Sequence, residues 1–438
     1  MSDIYESWGR YPKHEPAQVE KLFWRGEIPD LNKFKQSVLP YGCGRSYGDS
    51  CLNDGGALLD VRGMNHFISF DDETGIMRAE AGCTLDQILR FIVPRGWFLS
   101  VTPGTKYITL GGAIANDVHG KNHHVAGTFG RHVIRFELLR SGGERMICSR
   151  EENPEMFAAT IGGLGLTGLI TWVEFANRKV DSPYWAVESL KFDSIDEFFE
   201  INEESESKFD YTVSWVDCTA TGSNLGRGIY NRGNHAKPHE FAGLNIESKE
   251  PVAFPFDAPF INSASTQAFN ILYYNKQLDK RVRSVMHYDP FFYPLDGVLH
   301  WNRAYGKKGF LQYQFVVPFG EERAFRHLLR HVAGTGMTSF LTVMKTFGDI
   351  ESPGMLSFPR PGVNMAIDFR FAGQRTLRAV NELDNIIRSS GGVIYPAKDA
   401  RMSPGDFRRG YPRYEEFVEY IDPKFSSSFW RRVMGDYE

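Results

Sequence analysis

Short apolar runs separated by turn-forming residues dominate the first part of the chain. Residues 57–61, 67–70 and 77–81 are runs of this kind, and their length and alternation are typical of strands. Residues 85–92 change to helical spacing, with Thr84 in the position of an N-cap. Because the strands are not separated by regular helices, we predict an α+β arrangement rather than repeated βαβ units.

A second set of elements follows in the same part of the chain. Residues 134–139 and 168–174 have the composition of strands. Between them, residues 153–159 predict a short helix capped by Asn153, with Pro154 in its first turn. The pattern of short strands separated by turn-forming residues ends near residue 181, and we place a domain boundary there.

The remainder of the chain predicts an antiparallel sheet with helices on one face. Residues 312–317 and 366–371 are apolar strand runs, and residues 192–199, 321–333 and 376–389 have helical periodicity. Residues 233–275 are weakly periodic and rich in Pro, Asn and Ser. We interpret this segment as a long excursion over the surface.

Composition narrows the class of protein. The chain has 438 residues, 42% of them hydrophobic, and a formal net charge of −4, so we expect two domains and no nucleic-acid partner. Its five cysteines show no C-x-x-C spacing, which argues against a disulfide framework or a zinc site. With no secretory signal and no spanning helix in the pattern, we expect a cytoplasmic or peripherally membrane-associated protein.

Three glycine-rich loops fall within the first 170 residues, at 42–48, 103–112 and 162–168. Glycines such as Gly111 and Gly112 let a backbone approach a ligand closely, and titratable side chains follow at Asp117, His119 and Lys121. One such loop is compatible with a plain polar turn. Three of them favour a large ligand that carries phosphate.

The amino-acid sequences of several motifs resemble those of a known family. The sequences GRSYGD, PGT, GGAIANDVHGKNHH, GLTG, WNRAYG, FLQYQF and YPAKD stand at residues 44–49, 103–105, 111–124, 165–168, 301–306, 310–315 and 395–399. They resemble the FAD-binding domain of the vanillyl-alcohol oxidase/p-cresol methylhydroxylase superfamily and, more narrowly, the decaprenylphosphoryl-β-D-ribose 2-oxidase family. The resemblance implies an FAD-binding domain of two small α+β subdomains at 1–180, a substrate domain at 181–394 and a C-terminal segment, 395–438, that returns to the first domain.

The resemblance also implies a set of cofactor-binding residues. Many relatives in the superfamily attach the flavin covalently through a histidine at the position of Arg45, so we predict non-covalent FAD here, and His119 is the residue that would provide an alternative linkage. The cofactor-binding residues implied are Gly42, Gly44, Arg45, Ser46, Tyr47, Gly48, Gly104, Thr109, Gly111, Gly112, Asn116, Asp117, His119, Ile170 and Tyr395.

A second group of residues suits a sugar phosphate. Three lysines offer ammonium groups to a phosphate, and the strand glutamines two residues apart point to one face, where both amides can bond hydroxyls. Each lysine taken alone is more typical of a surface charge than of a ligand site. The substrate-binding residues predicted are Lys121, Trp215, Arg303, Gln312, Gln314, Lys345, Asn364 and Lys398.

The resemblance implies oxidation of the ribosyl 2-hydroxyl of a polyprenyl-phosphoryl ribose, the first half of an epimerisation to the arabinosyl donor. Lys398, His119 and Tyr47 are the catalytic candidates, and the choice of base between Lys398 and His119 stays open. An NADH-dependent short-chain dehydrogenase is implied as partner, with membrane contact through the lipid substrate. Alternatives are an aldonolactone or alditol oxidase that uses O2, and a flavin-binding protein without catalysis.

Overall fold

Two small subdomains form the first part of the molecule. The computed structural model describes residues 5–244, 246 and 248–435. A three-stranded parallel sheet has the order β1-β3-β2, and an antiparallel sheet has the order β4-β5-β9-β7-β8, with β6 paired to the end of β9. The strands are β1 (Gln18–Lys21), β2 (Val38–Tyr41), β3 (Ala57–Asp60), β4 (Phe67–Phe70), β5 (Ile76–Glu80), β6 (Trp97–Leu99), β7 (Val133–Leu139), β8 (Arg145–Ser149) and β9 (Leu169–Lys179).

Short helices connect these strands: α1 (Leu85–Ile92), α2 (Leu110–Ala115), α3 (His123–Ala126) and α4 (Pro154–Thr160). The predicted cap of α1 is confirmed, since Thr84 Oγ1 accepts the Gln87 N–H and the Gln87 side chain accepts the Thr84 N–H. Asn153 stands at the N-cap of α4 and Pro154 in its first turn, as predicted. The Asn153 side chain makes no capping hydrogen bond: the residue adopts a left-handed conformation (φ 50°), and its amide donates to the Ile147 carbonyl at 2.7 Å.

The second domain contains an eight-stranded antiparallel sheet, in the order β14-β10-β12-β11-β17-β18-β16-β19, and a two-stranded parallel ribbon of β13 and β15. The α+β prediction is confirmed. The strands are β10 (Tyr184–Phe192), β11 (Tyr211–Val216), β12 (Gly228–His235), β13 (Val252–Ala253), β14 (Arg281–His287), β15 (Val298–Leu299), β16 (Phe310–Val317), β17 (Thr342–Phe347), β18 (Gly362–Arg370) and β19 (Val393–Ile394).

Helices cover one face of this sheet, as expected. Apolar side chains of α5, α9 and α10 share one core with the buried strand β16, and this leaves the opposite face for the first domain. The helices are α5 (Ile195–Glu206), α6 (Pro238–Phe241), α7 (Ser263–Asn275), α8 (Tyr288–Phe292), α9 (Glu322–Thr335) and α10 (Gln374–Ser389).

The interpretation of residues 233–275 as an irregular excursion is wrong for α7, a thirteen-residue helix. Its buried positions include the polar residues Thr266 and Asn270, while Phe269 and Leu272 are exposed. Tyr274 is the third buried residue of α7, so the helix lacks the apolar stripe that marks most helices. For this reason the sequence pattern does not predict α7.

The last segment of the chain contacts both domains. Its helices are α11 (Pro404–Gly410), which packs on β19, α12 (Tyr414–Val418) and α13 (Ser428–Met434), which packs on residues 49–51 of the first domain. The Val38 N–H donates to the Lys424 carbonyl at 2.8 Å. The Arg432 guanidinium binds both oxygens of Asp49, at 2.7 and 2.9 Å, and also donates to Asp399 at 2.9 Å. Both carboxylates are buried, so this arginine is the partner that compensates them.

An aromatic cluster joins the two domains. Phe98 of β6 lies 4.8 Å from Trp185 of β10 and 5.1 Å from Phe292 of α8, between ring centroids. This shared core fixes the sheet of the second domain against the loops of the first. None of the helices in the described part of the chain is long and apolar enough to cross a bilayer.

Candidate active site

A cavity of about 760 Å³ lies between the glycine loops of the first domain and the uncovered face of the eight-stranded sheet. Its size is that of a cofactor or substrate pocket. It brings together residues that are far apart in the sequence. The predicted cofactor-binding residues on its wall are Gly42, Gly44, Arg45, Ser46, Tyr47, Gly104, Thr109, Gly111, Gly112, Asn116, His119, Ile170 and Tyr395; the predicted substrate-binding residues there are Lys121, Trp215, Gln312, Gln314, Lys345, Asn364 and Lys398.

Three predicted site residues lie outside the wall. Gly48 packs against the backbone of Asp399, where a Cβ has no room. Asp117 is fully buried, and its carboxylate accepts hydrogen bonds from Ser352, Ser357 and the Gly130 N–H. The Arg303 guanidinium donates to the Phe254 carbonyl at 3.0 Å. These contacts hold loops in place, and the assignment of the three residues to ligand binding stays a prediction.

The glycine loops approach one another where side chains are absent. A Cβ on Gly42 would collide with the Thr109 side chain, and Thr109 Oγ1 itself accepts the Gly112 N–H at 3.2 Å. Gly104 differs, since a Cβ there would meet no atom within 4 Å and would project into free space. Bare backbone beside an open cavity is the arrangement that a dinucleotide with a pyrophosphate requires.

Arg45 extends over this part of the cavity. Its guanidinium lies 3.9 Å from the ring centroid of Trp8 and 5.5 Å from that of Tyr107. Burial lowers the pKa of this guanidinium, and Asp296 opposes the shift. A positive charge held by two aromatic rings is available to an anionic ligand.

Three strands present their polar side chains to the other half of the cavity. Lys345 of β17 pairs in register with Asn364 of β18, and Gln314 of β16 pairs with Ala366 of β18. Gln314 Nε2 donates to the Asn364 Oδ1 at 2.9 Å and to His119 Nε2 at 3.0 Å. These hydrogen bonds connect Asn364 and Gln314 of the sheet to His119 of the first domain.

The Gln314 amide, oriented so that its nitrogen donates to Asn364 Oδ1, directs the same Nε2 at His119 Nε2. Because Nε2 accepts, Nδ1 carries the proton, and this buried atom has no hydrogen-bond partner among the described residues. Burial, together with the charge of Lys345, holds the pKa of the imidazole well below its usual value. His119 is therefore a neutral ring with one free donor beside the cofactor half of the cavity, which fits a flavin polar atom.

Three buried ammonium groups face the same cavity. Lys345 Nζ donates to the Gly120 carbonyl at 2.6 Å, Lys121 Nζ donates to the Phe291 carbonyl, and Lys398 Nζ lies 3.7 Å from the ring centroid of Tyr47. Burial lowers the pKa of each lysine to about 7; in Lys345 the other two lysines add to the shift, and in Lys398 Asp368 opposes it.

Asp368, which sequence reasoning missed, lies behind this group. It is fully buried, its Oδ1 accepts from Gln312 Nε2 at 2.5 Å and its Oδ2 accepts from the Tyr305 hydroxyl at 3.4 Å. Burial raises the pKa of the carboxyl to about 7, against the opposing effects of the Gln312 hydrogen bond and the Lys398 charge. Alternation along β18 was the available signal, since Asn364, Ala366 and Asp368 share one face.

Comparison with known proteins identifies the family. A family model described as an FAD binding domain matches residues 28–149. The decaprenylphosphoryl-beta-D-ribose oxidase of Mycolicibacterium smegmatis is 36% identical over 414 residues, which cover 91% of this chain and 89% of the relative. This chain belongs to the decaprenylphosphoryl-β-D-ribose oxidase family.

More distant relatives cover most of the chain as well. An uncharacterized protein of Streptomyces coelicolor is 29% identical over 80% of this chain and 99% of its own length. The L-gulono-1,4-lactone dehydrogenase of Mycobacterium tuberculosis (strain CDC 1551 / Oshkosh) is 23% identical over 99% of this chain and 100% of its own length.

FAD is the cofactor of this decaprenylphosphoryl-β-D-ribose oxidase family member. The residues present fit the group, since the glycine loops leave open space at Gly104, Arg45 supplies positive charge and His119 Nδ1 needs an acceptor. Ala366, at a position where the resemblance implies a cysteine in mycobacterial members, lies on the cavity wall.

Proposed function

We propose that this chain oxidises the 2-hydroxyl of the ribosyl group of a polyprenyl-phosphoryl ribose to the 2-keto product. The support is the similarity to a decaprenylphosphoryl-beta-D-ribose oxidase along most of both chains. The cavity agrees with it, because FAD-binding loops and sugar-binding amides line one space.

The observation that carries the proposal is the cluster of Lys121, Lys345 and Lys398. Asp296 is the one carboxylate on the cavity wall within the described residues, and Asp368 lies behind Lys398, so the partly buried Lys121 and Lys345 have no carboxylate partner there. Burial of unpaired charge is unfavourable, and a phosphate monoanion or dianion compensates it. A neutral lactone offers these lysines no such charge.

The chemistry requires loss of a hydride from carbon and of a proton from the hydroxyl. FAD, when bound, supplies the two-electron acceptor for the hydride. Lys398 is our candidate for the base, because an amine with a pKa of about 7 is largely unprotonated slightly above neutral pH. The hydroxyl proton then goes to Lys398 Nζ, and the carbon–oxygen single bond becomes a carbonyl.

Neighbouring side chains position this amine. The Tyr47 ring supports the Lys398 Nζ at 3.7 Å, and burial, followed by the charge of Asp368, holds the pKa of the phenol well above its usual value. Tyr47 thus stays a neutral phenol and acts on the orientation of Lys398. His119 is a weaker candidate for the base, because its acceptor nitrogen already receives the Gln314 hydrogen bond.

The 2-keto product needs a second enzyme if the epimerisation is to be completed. Re-reduction from the opposite face gives the arabinosyl configuration, and it consumes a hydride donor. We propose an NADH-dependent short-chain dehydrogenase as that partner, as the family resemblance implies.

The test is a substrate screen on the purified FAD-loaded protein without oxygen. Polyprenyl-phosphoryl ribose is expected to bleach the visible flavin absorbance, and the product is expected to be two hydrogens lighter by mass spectrometry. Gulonolactone and xylitol serve as matched soluble sugars without phosphate, and ribose 5-phosphate as a phosphate without the lipid.

Two results would redirect the proposal. Bleaching by gulonolactone or xylitol at the same rate favours the lactone or alditol oxidase, an activity related to that of the distant relative from Mycobacterium tuberculosis. Bleaching by none of the sugars, with dithionite still reducing the flavin, favours a flavin-binding protein without catalysis.

A further inference from the structure

The helix α7 carries its polar residues inward and its apolar residues outward. Thr266 and Asn270 are buried, and the Asn270 amide donates to Asp217 Oδ1 at 3.0 Å and to the Ser339 carbonyl at 3.2 Å. On the outer side Leu272 is 71% exposed, and Leu278, just beyond the helix, is 89% exposed. The Asn270 hydrogen bonds and the buried Tyr274 ring anchor the helix, so the exposed Leu272 and Leu278 are not needed to hold it in the fold.

The segment before α7 adds aromatic rings to this surface. Phe256 is 58% and Phe260 is 52% exposed, with ring centroids 6.1 Å apart. The Phe260 carbonyl accepts the Ser265 hydroxyl at 2.8 Å, which ties the aromatic pair to the first turn of α7. We call Phe256, Phe260, Phe269, Leu272 and Leu278 the α7 surface. Exposed large apolar side chains grouped on one segment in this way mark an interaction site.

Lys276, Lys307 and Lys308 lie beside the α7 surface, and the carboxylates near it are Asp257 and Asp279. Lys276 is exposed, and its ammonium lies 3.5 Å from the Tyr273 ring centroid. Lys307 and Lys308 are exposed in the turn beside Pro259, which bridges to Tyr305. Between residues 251 and 278 the one acidic residue is Asp257, and its carboxylate binds Arg10 at 2.5 Å.

Farther along the chain the positive charge is neutralised. Lys280 binds Asp193 and Glu197, and Arg283 binds Glu188. Lys276, Lys307 and Lys308, in contrast, form no ion pair with any of the described residues. Lysine beside exposed aromatic and aliphatic side chains is the composition of a face that lies in the headgroup region of an anionic bilayer.

The α7 surface is continuous with the active site. Phe269, Tyr273 and Lys276 lie on the cavity wall with Trp215, and the Trp215 ring is 4.6 Å from that of Tyr273. One side of α7 therefore borders the cavity, while Leu272 and Leu278 face outward. A lipid chain leaving the cavity along this wall emerges at the apolar surface.

We propose that the α7 surface docks the enzyme on an anionic membrane, so that a lipid-linked substrate reaches the cavity without crossing water. The purpose of docking rests on the proposed function, but the docking itself does not, since vesicle binding needs no substrate. The occupant is the bilayer surface; a second copy of the chain is the competing occupant that the test must exclude.

The test is flotation of the FAD-loaded protein with phosphatidylcholine vesicles, with and without about a quarter of phosphatidylglycerol. We expect binding to the anionic vesicles, weakened by added salt. The double variant Leu272→Glu/Leu278→Glu should bind at least about tenfold more weakly, because two carboxylates enter the apolar face. Val418→Glu, at an exposed valine of α12, is the matched control.

FAD content and anaerobic reduction by dithionite verify that each variant is folded. Leu278→Gln changes one nearly fully exposed side chain and provides a second variant if the double one does not fold. The proposal is overturned if the wild type ignores anionic vesicles, or if the variants bind as it does. It is also overturned if sedimentation shows a dimer that the glutamates dissociate, because the α7 surface then belongs to a second copy.

Discussion

Residue by residue, the proposed reaction depends most on the charge of Lys398. Burial lowers the pKa of this amine to about 7, so it is protonated below that pH and cannot accept the hydroxyl proton. The rate of flavin reduction by substrate is therefore expected to rise with pH through about 7 and to level off above it. Because the three lysines interact, the pH limb reports the cluster as a whole.

Lys398→Met tests this assignment. The variant keeps the length of the side chain but has no proton acceptor, so flavin reduction is expected to slow by about 10²- to 10⁴-fold and to lose its pH limb. Lys345→Met is the comparison, since it should weaken substrate binding while the limb remains. Rapid anaerobic mixing over a pH range measures the rate of flavin reduction and its pH dependence in each variant. A Lys398→Met enzyme that retains FAD and the native pH profile would refute the role of the amine.

Sequence reasoning found most of the side chains on the cavity wall and missed the acid behind them. Lys121, Lys345 and Lys398 were visible because each stands in a recognisable motif. Asp368 stands in an apolar strand run, where a carboxylate is expected only if the strand lies at the edge of the sheet. Only the register of β16 on β18, which pairs Gln312 with Asp368, brings this carboxyl to the site.

Among the structural elements, the loop at Pro103–Thr105 provides the sharpest test of the FAD site. A Cβ on Gly104 meets no atom within 4 Å, so Gly104→Val should leave the unfolding free energy of the cofactor-free protein nearly unchanged. The added side chain enters the cavity and should weaken FAD binding by about tenfold or more. Fluorescence titration with FAD and thermal unfolding measure the two effects.

Gly142→Ala is the control for this loop, because that glycine also has free space around it and lies away from the cavity. Gly142→Ala should alter neither the affinity for FAD nor the unfolding free energy of the cofactor-free protein. Equal FAD affinity in Gly104→Val and in the wild type would place the cofactor elsewhere.

Periodicity predicted the elements whose apolar face is buried. Helix α1 is an example, with Leu85, Ile88, Leu89 and Ile92 inside the core. It failed for α7, because two of the three buried residues of that helix, Thr266 and Asn270, are polar. The role of the Asn153 side chain was not predictable either, because cap preference is statistical. The amide of this residue donates to the Ile147 carbonyl.

For the molecule as a whole, the α+β class was predictable and the cavity was not. Glycine loops indicate a phosphate-bearing ligand, and lysines and strand amides indicate a sugar phosphate, but each signal is local. The aromatic contact of Phe98 with Trp185 and Phe292 joins the two domains. Such long-range packing decides which loops and strands share one space, and a single sequence does not show it.

The central claim is that the lysine-lined cavity holds a polyprenyl-phosphoryl ribose whose ribosyl C2–H bond is broken as FAD is reduced. The most direct measurement is single-turnover reduction of the flavin, without oxygen, by substrate carrying deuterium at C2 of the ribosyl group. We expect reduction several-fold slower than with the protiated substrate, and the 2-keto product in equal amount to reduced flavin. Equal single-turnover rates of flavin reduction with the two substrates, or reduction without the 2-keto product, would contradict the account.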